Sequence, residues 1–133
     1  MNKYVKEKAR ILLVEDNEAN LLMTQDYLES YGYQVIPARD GDEALTMMDE
    51  NPPDLVLMDI QMPGMDGFEV LRRIRLQPRF ASVPIIALTA LAMPGDRERC
   101  LEAGANEYLS KPVELKFLLY AIEKFTDDLS GGD

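Results

Sequence analysis

The residues of this chain that could do chemistry are carboxylates, hydroxyls and lysines. The sequence has no histidine and a single cysteine, Cys100. This composition excludes a disulfide framework, most zinc sites and catalysis by Ser-His-Asp or Cys-His groups. Four short polar motifs stand out because each follows a run of apolar residues. They are Glu15 with Asp16, Asp59, Thr89 with Ala90, and Ser110-Lys111-Pro112.

Three carboxylates held within a few ångströms of one another repel, and a nearby cation relieves that repulsion. At about 4 Å and an effective dielectric constant near 20, each like-charged pair costs about 4 kcal/mol. Mg²⁺ is a small, hard cation that takes carboxylate, phosphate and water oxygens. Lys111 and Thr89 add partners for an anion. Together these groups predict phosphoryl transfer to an aspartate nucleophile.

Each motif also has a plain structural explanation when taken alone. Asp16 and Asn17 are suited to capping a helix, Asp59 to forming a turn, and Lys111 to carrying a solvated charge. The functional interpretation depends on whether these motifs meet at one place. The strands and helices that position the motifs decide whether they meet.

Short apolar runs alternate with helical patterns along the chain, which is typical of a parallel sheet covered by helices on both faces. The pattern predicts an α/β fold: a flavodoxin-like, doubly wound (βα)5 unit with a parallel five-stranded sheet in the order 2-1-3-4-5. The carboxyl ends of strands 1, 3, 4 and 5 then lie side by side, where such folds bind ligands. The predicted strands cover residues 11–14, 35–36, 55–58, 85–88 and 108–109.

The helical segments follow these strands. The first begins after Asn17 and is expected to bury Ala19, Leu22 and Leu28 before Gly32 ends it. The next three cover residues 42–50, the segment with Phe68, Leu71 and Ile74, and residues 96–103. The fifth covers residues 114–128, and its apolar residues follow the spacing i, i+3, i+4 and i+7. These are Leu118, Ala121, Ile122 and Phe125.

The length of 133 residues corresponds to one domain, and 47% hydrophobic residues suffice for a packed core. We expect a folded domain over residues 10–127, a polar lead at 1–9 and a flexible tail at 128–133. The net charge of −10 argues against nucleic acid and anionic membrane surfaces as partners. No segment is apolar enough to span a bilayer or to form a signal peptide, so we expect a cytoplasmic protein.

From about Arg10 to Phe125 the chain resembles the receiver domain of two-component response regulators. The pattern is closest to receivers of hybrid sensor kinases or to stand-alone receivers. Thirty positions separate Asp59 from Thr89, and twenty-two separate Thr89 from Lys111, which fits one strand-helix unit between each pair. The matching motifs are Glu15 with Asp16, residues 58–67, Thr89 with Ala90, and residues 108–112.

The resemblance implies a role for each acidic residue. Asp59 is expected to be the phosphoacceptor, which attacks the phosphorus of a phosphohistidine on a histidine kinase or a histidine phosphotransfer protein. The cofactor is expected to be Mg²⁺. Asp16 would bind this ion directly and Glu15 through water, with Asp59 and the backbone carbonyl of Gln61 as further ligands.

The resemblance also implies a switch. Lys111 would pair with the phosphoryl oxygens, and Thr89 would move to bond the phosphoryl group. The ring of Tyr108 would then turn inward, which changes the surface formed by the fourth helix, the fifth strand and the fifth helix. Such a protein signals by contact with a downstream protein that the sequence does not identify. It is no enzyme beyond its own phosphorylation and dephosphorylation.

Two alternatives remain open at this point. One is a pseudo-receiver, an interaction module that works without phosphorylation. The other is a hydrolase that uses an aspartate and Mg²⁺; this class needs a second acid two residues after the nucleophile, where this chain has Gln61. Gln61 and Leu91 occupy positions that tune the lifetime of the phosphoryl group in receivers. The fifth helix lacks the paired arginines of DNA-binding relatives.

Overall fold

The computed structural model describes residues 8–62, 64–90 and 93–131. Five strands form the main sheet: β1 (Arg10–Val14), β2 (Gln34–Ala38), β3 (Leu55–Asp59), β4 (Ile85–Thr89) and β5 (Glu107–Ser110). Five helices connect or follow them: α1 (Glu18–Glu29), α2 (Gly41–Glu50), α3 (Gly67–Arg75), α4 (Asp96–Ala103) and α5 (Leu115–Gly131). A two-stranded antiparallel hairpin joins Gln61–Met62 to Met65–Asp66, and a 3₁₀ turn covers Pro78–Phe80.

The main sheet is parallel throughout, and its strand order is 2-1-3-4-5, which confirms the predicted α/β topology. Its central strands are apolar on both faces because helices cover both faces. Every residue of β3 and β4 is buried. Pro37 lies in β2, an edge strand, where the missing N–H does least harm to the hydrogen-bond ladder.

Alternate residues of each strand pack into two separate cores, one on each face of the sheet. Along β1, Leu12 and Val14 face the core covered by α2, α3 and α4, whereas Ile11 and Leu13 face the core covered by α1 and α5. The predicted apolar face of α5 is confirmed, with Phe125 partly buried and its other three members buried. In the part of the chain described above, no helix is long and apolar enough to cross a bilayer.

The predicted buried face of α1 is wrong by about one position. Leu21 and Leu28 are buried, whereas Ala19 is exposed and Leu22 is 48% exposed. Leu21 and Leu28 are seven residues apart, which is two helical turns, so they lie on one stripe, and Leu22 is rotated about 100° away from it. Asn17 begins the helix as predicted, since its side chain accepts a hydrogen bond from the N–H of Asn20 at 2.9 Å.

The fifth helix is longer than predicted. It continues through residues 128–131, where we expected a flexible tail, and residues 132 and 133 lie outside the described residues. Extension of an existing helix fixes one residue for each hydrogen bond gained, so a helix propagates more easily than it starts. Of the expected polar lead, residues 1–7 lie outside the described residues, and β1 begins at Arg10.

The hairpin after β3 returns the chain so closely that α3 has to begin with glycine. The N–H of Gly67 donates to the carbonyl of Ile60 at 3.1 Å. A Cβ atom at this position would lie 2.5 Å from the Cα and 2.6 Å from the carbonyl oxygen of Ile60. Only a residue without a side chain permits this approach, which fixes the loop that follows Asp59.

Candidate functional site

Three carboxylates meet at the carboxyl edge of the sheet. Glu15 and Asp16 directly follow β1, and Asp59 ends the neighbouring strand β3. One carboxylate oxygen from each residue lies within 4.8 Å of the other two. Glu15 and Asp59 are buried, at 6% and 2% exposure, whereas Asp16 is exposed. The predicted convergence of these acids is therefore present in the fold.

Lys111 supplies a positive charge to the two buried acids. Its Nζ lies 2.9 Å from Oδ2 of Asp59 and 3.4 Å from Oε1 of Glu15. The residue follows β5, and its backbone N–H donates to the carbonyl of Thr89 at 2.8 Å, so the two strand ends stay joined. The lysine therefore reaches both acids from the end of β5. Three carboxylates and one ammonium leave the site with a net charge of −2.

Backbone N–H groups fix the remaining oxygens of the two buried acids. The N–H of Asn17 donates to Oε2 of Glu15 at 3.1 Å, and the N–H of Gln61 donates to Oδ1 of Asp59 at 3.0 Å. Each donor comes two residues after its carboxylate, so the turn that follows the strand holds the side chain. The exposed carboxylate of Asp16 lies beside this ordered pair.

The crowding of these groups shows in their pKa values. Burial raises the pKa of Glu15, the charge of Asp59 raises it further, and the N–H of Asn17 and the ammonium of Lys111 only partly oppose the rise. Burial by itself would lower the pKa of Lys111, but the hydrogen bond and charge of Asp59, together with Glu15, outweigh it and raise that pKa. The lysine is thus held as a cation by the acids.

Thr89 and Tyr108 lie on the two strands beyond Asp59. Thr89 ends β4 and is fully buried. Tyr108 lies on β5, opposite Ala87, and its partly buried ring packs against the core that contains Cys100. Burial raises the pKa of Tyr108, and the nearby Asp96 and Cys100 raise it further. The phenol therefore lies on the α4 side of the sheet.

The donor set fits a hard divalent cation. All three side chains offer oxygen atoms, and the cluster contains neither nitrogen nor sulfur ligands. A net charge of −2 at the site is what a divalent cation would neutralise. The backbone carbonyl of Gln61, two residues after Asp59, is the fourth protein oxygen that the resemblance to receiver domains implies.

The family model for the response regulator receiver domain matches residues 11–123. The chain belongs to this family. As a receiver it is a signalling module of two-component systems, and receivers interact with histidine kinases or phosphotransfer proteins.

Relatives of this receiver cover nearly its whole length. The polar-differentiation response regulator DivK of Brucella anthropi is 40% identical over 118 residues, which are 89% of this chain and 96% of DivK. The receiver domain of a sensor histidine kinase from Pseudomonas aeruginosa is 42% identical, with a TM-score of 0.81 over 90% of this chain and 98% of that one. That structure contains a magnesium ion coordinated in its active site cleft.

A chemotaxis protein of Vibrio cholerae, CheY4, has the same fold at 31% identity. Its TM-score is 0.84 over 89% of this chain and 98% of that chain. Together with the strand order of the sheet, this similarity confirms the flavodoxin-like fold predicted from the sequence.

The structure brings the four charged residues predicted for the receiver site together, and it shows contacts that the sequence did not indicate. Leu91, singled out beside Thr89, lies outside the described residues. Two contacts were missed: the N–H of Asn17 on Glu15, and a bond from the N–H of Ala90 to Oε1 of Gln61 at 3.3 Å. The sequence did single out Gln61, but only by its distance from Asp59.

Proposed function

We propose that this receiver accepts a phosphoryl group on Asp59 from the phosphohistidine of a histidine kinase or a histidine phosphotransfer protein. The observation that carries the proposal is the position of Asp59. Its carboxylate is buried at a strand end, 2.9 Å from the Nζ of Lys111 and within 4.8 Å of two further acids. Such a carboxylate is oriented for attack and is surrounded by groups that handle negative charge.

In the proposed reaction, a carboxylate oxygen of Asp59 attacks the phosphorus atom. The phosphorus–nitrogen bond of the phosphohistidine breaks, and its electron pair leaves with the imidazole, which takes up a proton. The product is an acyl phosphate. Lys111 pairs with the phosphoryl oxygens as a cation, because the neighbouring acids outweigh the effect of burial on its pKa. Bound Mg²⁺ would neutralise charge that develops on the phosphoryl group.

The residues that would hold this Mg²⁺ are Glu15, Asp16 and Asp59, with the backbone carbonyl of Gln61. Asp16 is the exposed member of the cluster, so an ion can reach its carboxylate from solvent. Glu15 already accepts bonds from Asn17 and Lys111, which suits a ligand that acts through water.

The proposed output is a change of the surface formed by α4, β5 and α5. The phosphoryl group gives the hydroxyl of Thr89 a strong acceptor, and Tyr108 repacks into the space that Thr89 leaves. A shift from 1:99 to 99:1 between the two states needs about 5.5 kcal/mol of differential interaction. The changed surface then binds a downstream protein. We place this exchange in the cytoplasm, as expected from the sequence.

The experiment is incubation with acetyl phosphate and Mg²⁺, followed by electrophoresis that separates phosphorylated from unphosphorylated protein. We expect labelling of the wild type, none above background for Asp59→Asn, and wild-type labelling for Asp42→Asn, an exposed aspartate on α2. Unchanged labelling of Asp59→Asn would refute the assignment. A folded wild type that neither becomes labelled nor binds beryllium fluoride would instead be a pseudo-receiver.

A further inference from the structure

The side chain of Gln61 joins the loop after β3 to the loop after β4. Its Oε1 accepts a hydrogen bond from the N–H of Ala90 at 3.3 Å. Asp59 is paired with Leu88 in the sheet, so continuation of this register places Gln61 opposite Ala90. The contact therefore links the two loops just beyond the end of β3, where Asp59 lies.

The N–H of Ala90 depends on this contact because the regular ladder stops one residue earlier. The N–H of Ile60 donates to the carbonyl of Leu88 at 2.9 Å, which is the last such bond between β3 and β4 in the described residues. In a parallel ladder the next bond would run from Ala90 to the carbonyl of Ile60. That carbonyl instead accepts from Gly67 at 3.1 Å, where the hairpin returns.

The same residue also contacts the phosphoacceptor. Its backbone N–H donates to Oδ1 of Asp59 at 3.0 Å, while its side chain covers Ala90. Both Gln61 and Ala90 are exposed, so the side-chain amide can leave and bond to water. An anionic oxygen accepts a stronger hydrogen bond than a neutral amide oxygen does.

We propose that the Gln61 side chain is a removable cap on the Ala90 N–H, which it yields to an anionic oxygen carried by Asp59. This inference rests on the proposed role of Asp59. The cap competes with the incoming oxyanion for one donor, so Gln61 weakens binding of the oxyanion. Gln61 is thus a positioning residue, which acts through the Ala90 N–H.

The test measures binding of beryllium fluoride in the presence of saturating Mg²⁺. Loss of one neutral hydrogen bond changes affinity by about two- to tenfold, so Gln61→Ala should bind this anion about two- to tenfold more tightly than the wild type. Gln61→Glu keeps an acceptor over Ala90 but adds a negative charge, and it should bind more weakly. Gln25→Ala removes a glutamine from α1 whose side chain donates to Glu29, away from the site, and it should match the wild type.

Two further readouts separate a cap from a general disturbance of the loop. The expected metal ligand at residue 61 is a backbone carbonyl and not the side chain, so Gln61→Ala should change Mg²⁺ affinity without beryllium fluoride by less than it changes anion affinity. In NMR spectra the amide proton of Ala90 should differ between these two proteins when they are free and coincide when beryllium fluoride is bound.

Three results would each overturn the cap: equal or weaker anion binding by Gln61→Ala, a change of its Mg²⁺ affinity as large as the expected change of its anion affinity, or an Ala90 resonance that does not depend on residue 61. The proposed function fails differently. In that case the wild type itself binds no beryllium fluoride with Mg²⁺, and the inference falls with it.

Discussion

Lys111 is the cation on which the two buried acids of the site depend when no metal is bound. At an effective dielectric constant near 20, its ammonium attracts Asp59 at 2.9 Å by about 6 kcal/mol and Glu15 at 3.4 Å by about 5 kcal/mol. Desolvation offsets most of this gain. Removal of one partner from a buried pair typically costs 3–5 kcal/mol. The lysine side chain is 27% exposed, so we expect Lys111→Met to lose about 3 kcal/mol.

The measurement is urea unfolding at pH 7 with a chelator present. The matched control is Lys116→Met, because Lys116 is 72% exposed and lies 3.7 Å from Glu114 in a surface ion pair. Such pairs contribute little, and the control should change the free energy of unfolding by less than about 0.5 kcal/mol. The two variants remove the same charge from the chain, so their difference reports the site rather than the net charge.

Addition of Mg²⁺ extends the same prediction. Without the competing ammonium, the three acids should bind the ion more tightly in Lys111→Met than in the wild type. The variant should therefore recover more stability on titration. Equal losses for Lys111→Met and Lys116→Met, or a Mg²⁺ response smaller than that of the wild type, would refute the charge-compensation argument.

Two further predictions concern the acid cluster and the hairpin. Burial raises the pKa of Glu15 in the folded state. Its contribution to the free energy of unfolding is therefore fully present below the ordinary glutamate pKa of about 4.3, and it is lost as pH rises through the higher pKa of the folded state. When the free energy of unfolding is measured against pH without metal, Glu15→Gln should not show this decline. A pH profile equal to that of the wild type would contradict the prediction. In urea unfolding, Gly67→Ala should lower the free energy of unfolding by about 3 kcal/mol, because the new Cβ meets the backbone of Ile60. The control Gly64→Ala should lower it by about 1 kcal/mol, because its Cβ has free space and only the φ of +86° is unfavourable.

The sheet and the convergence of the acids follow from local features of the sequence. Buried parallel strands are continuous apolar runs, and a polar residue directly after such a run has to lie at the carboxyl edge of the sheet. Asp59 and Lys111 are 52 positions apart, yet their juxtaposition requires only that β3 and β5 have the same direction and lie on either side of β4. The spacing of apolar runs along the sequence is therefore enough to predict this contact between strand ends.

What the sequence did not predict depends on three-dimensional packing. The choice between Leu21 and Leu22 as the buried residue of α1 is settled by the rotation of that helix against β1 and α5, and both residues are leucine. The hairpin after β3 has strands of only two residues, which are too short to give a periodic signal. The contact of Gln61 with Ala90 arises only because Gly67 takes the carbonyl that would otherwise receive the Ala90 N–H.

The site combines two kinds of acid that have different requirements. Glu15 and Asp59 are buried and hold their places through backbone N–H groups and Lys111, so these two are ordered before any ligand arrives. Asp16 remains in solvent, where its charge costs little. With one ammonium the cluster carries −2, and a divalent cation brings the sum to zero. Neutralisation would weaken the hold of the acids on Lys111. Under the proposed function, its ammonium would then be available to a phosphoryl oxygen when that negative charge enters the site.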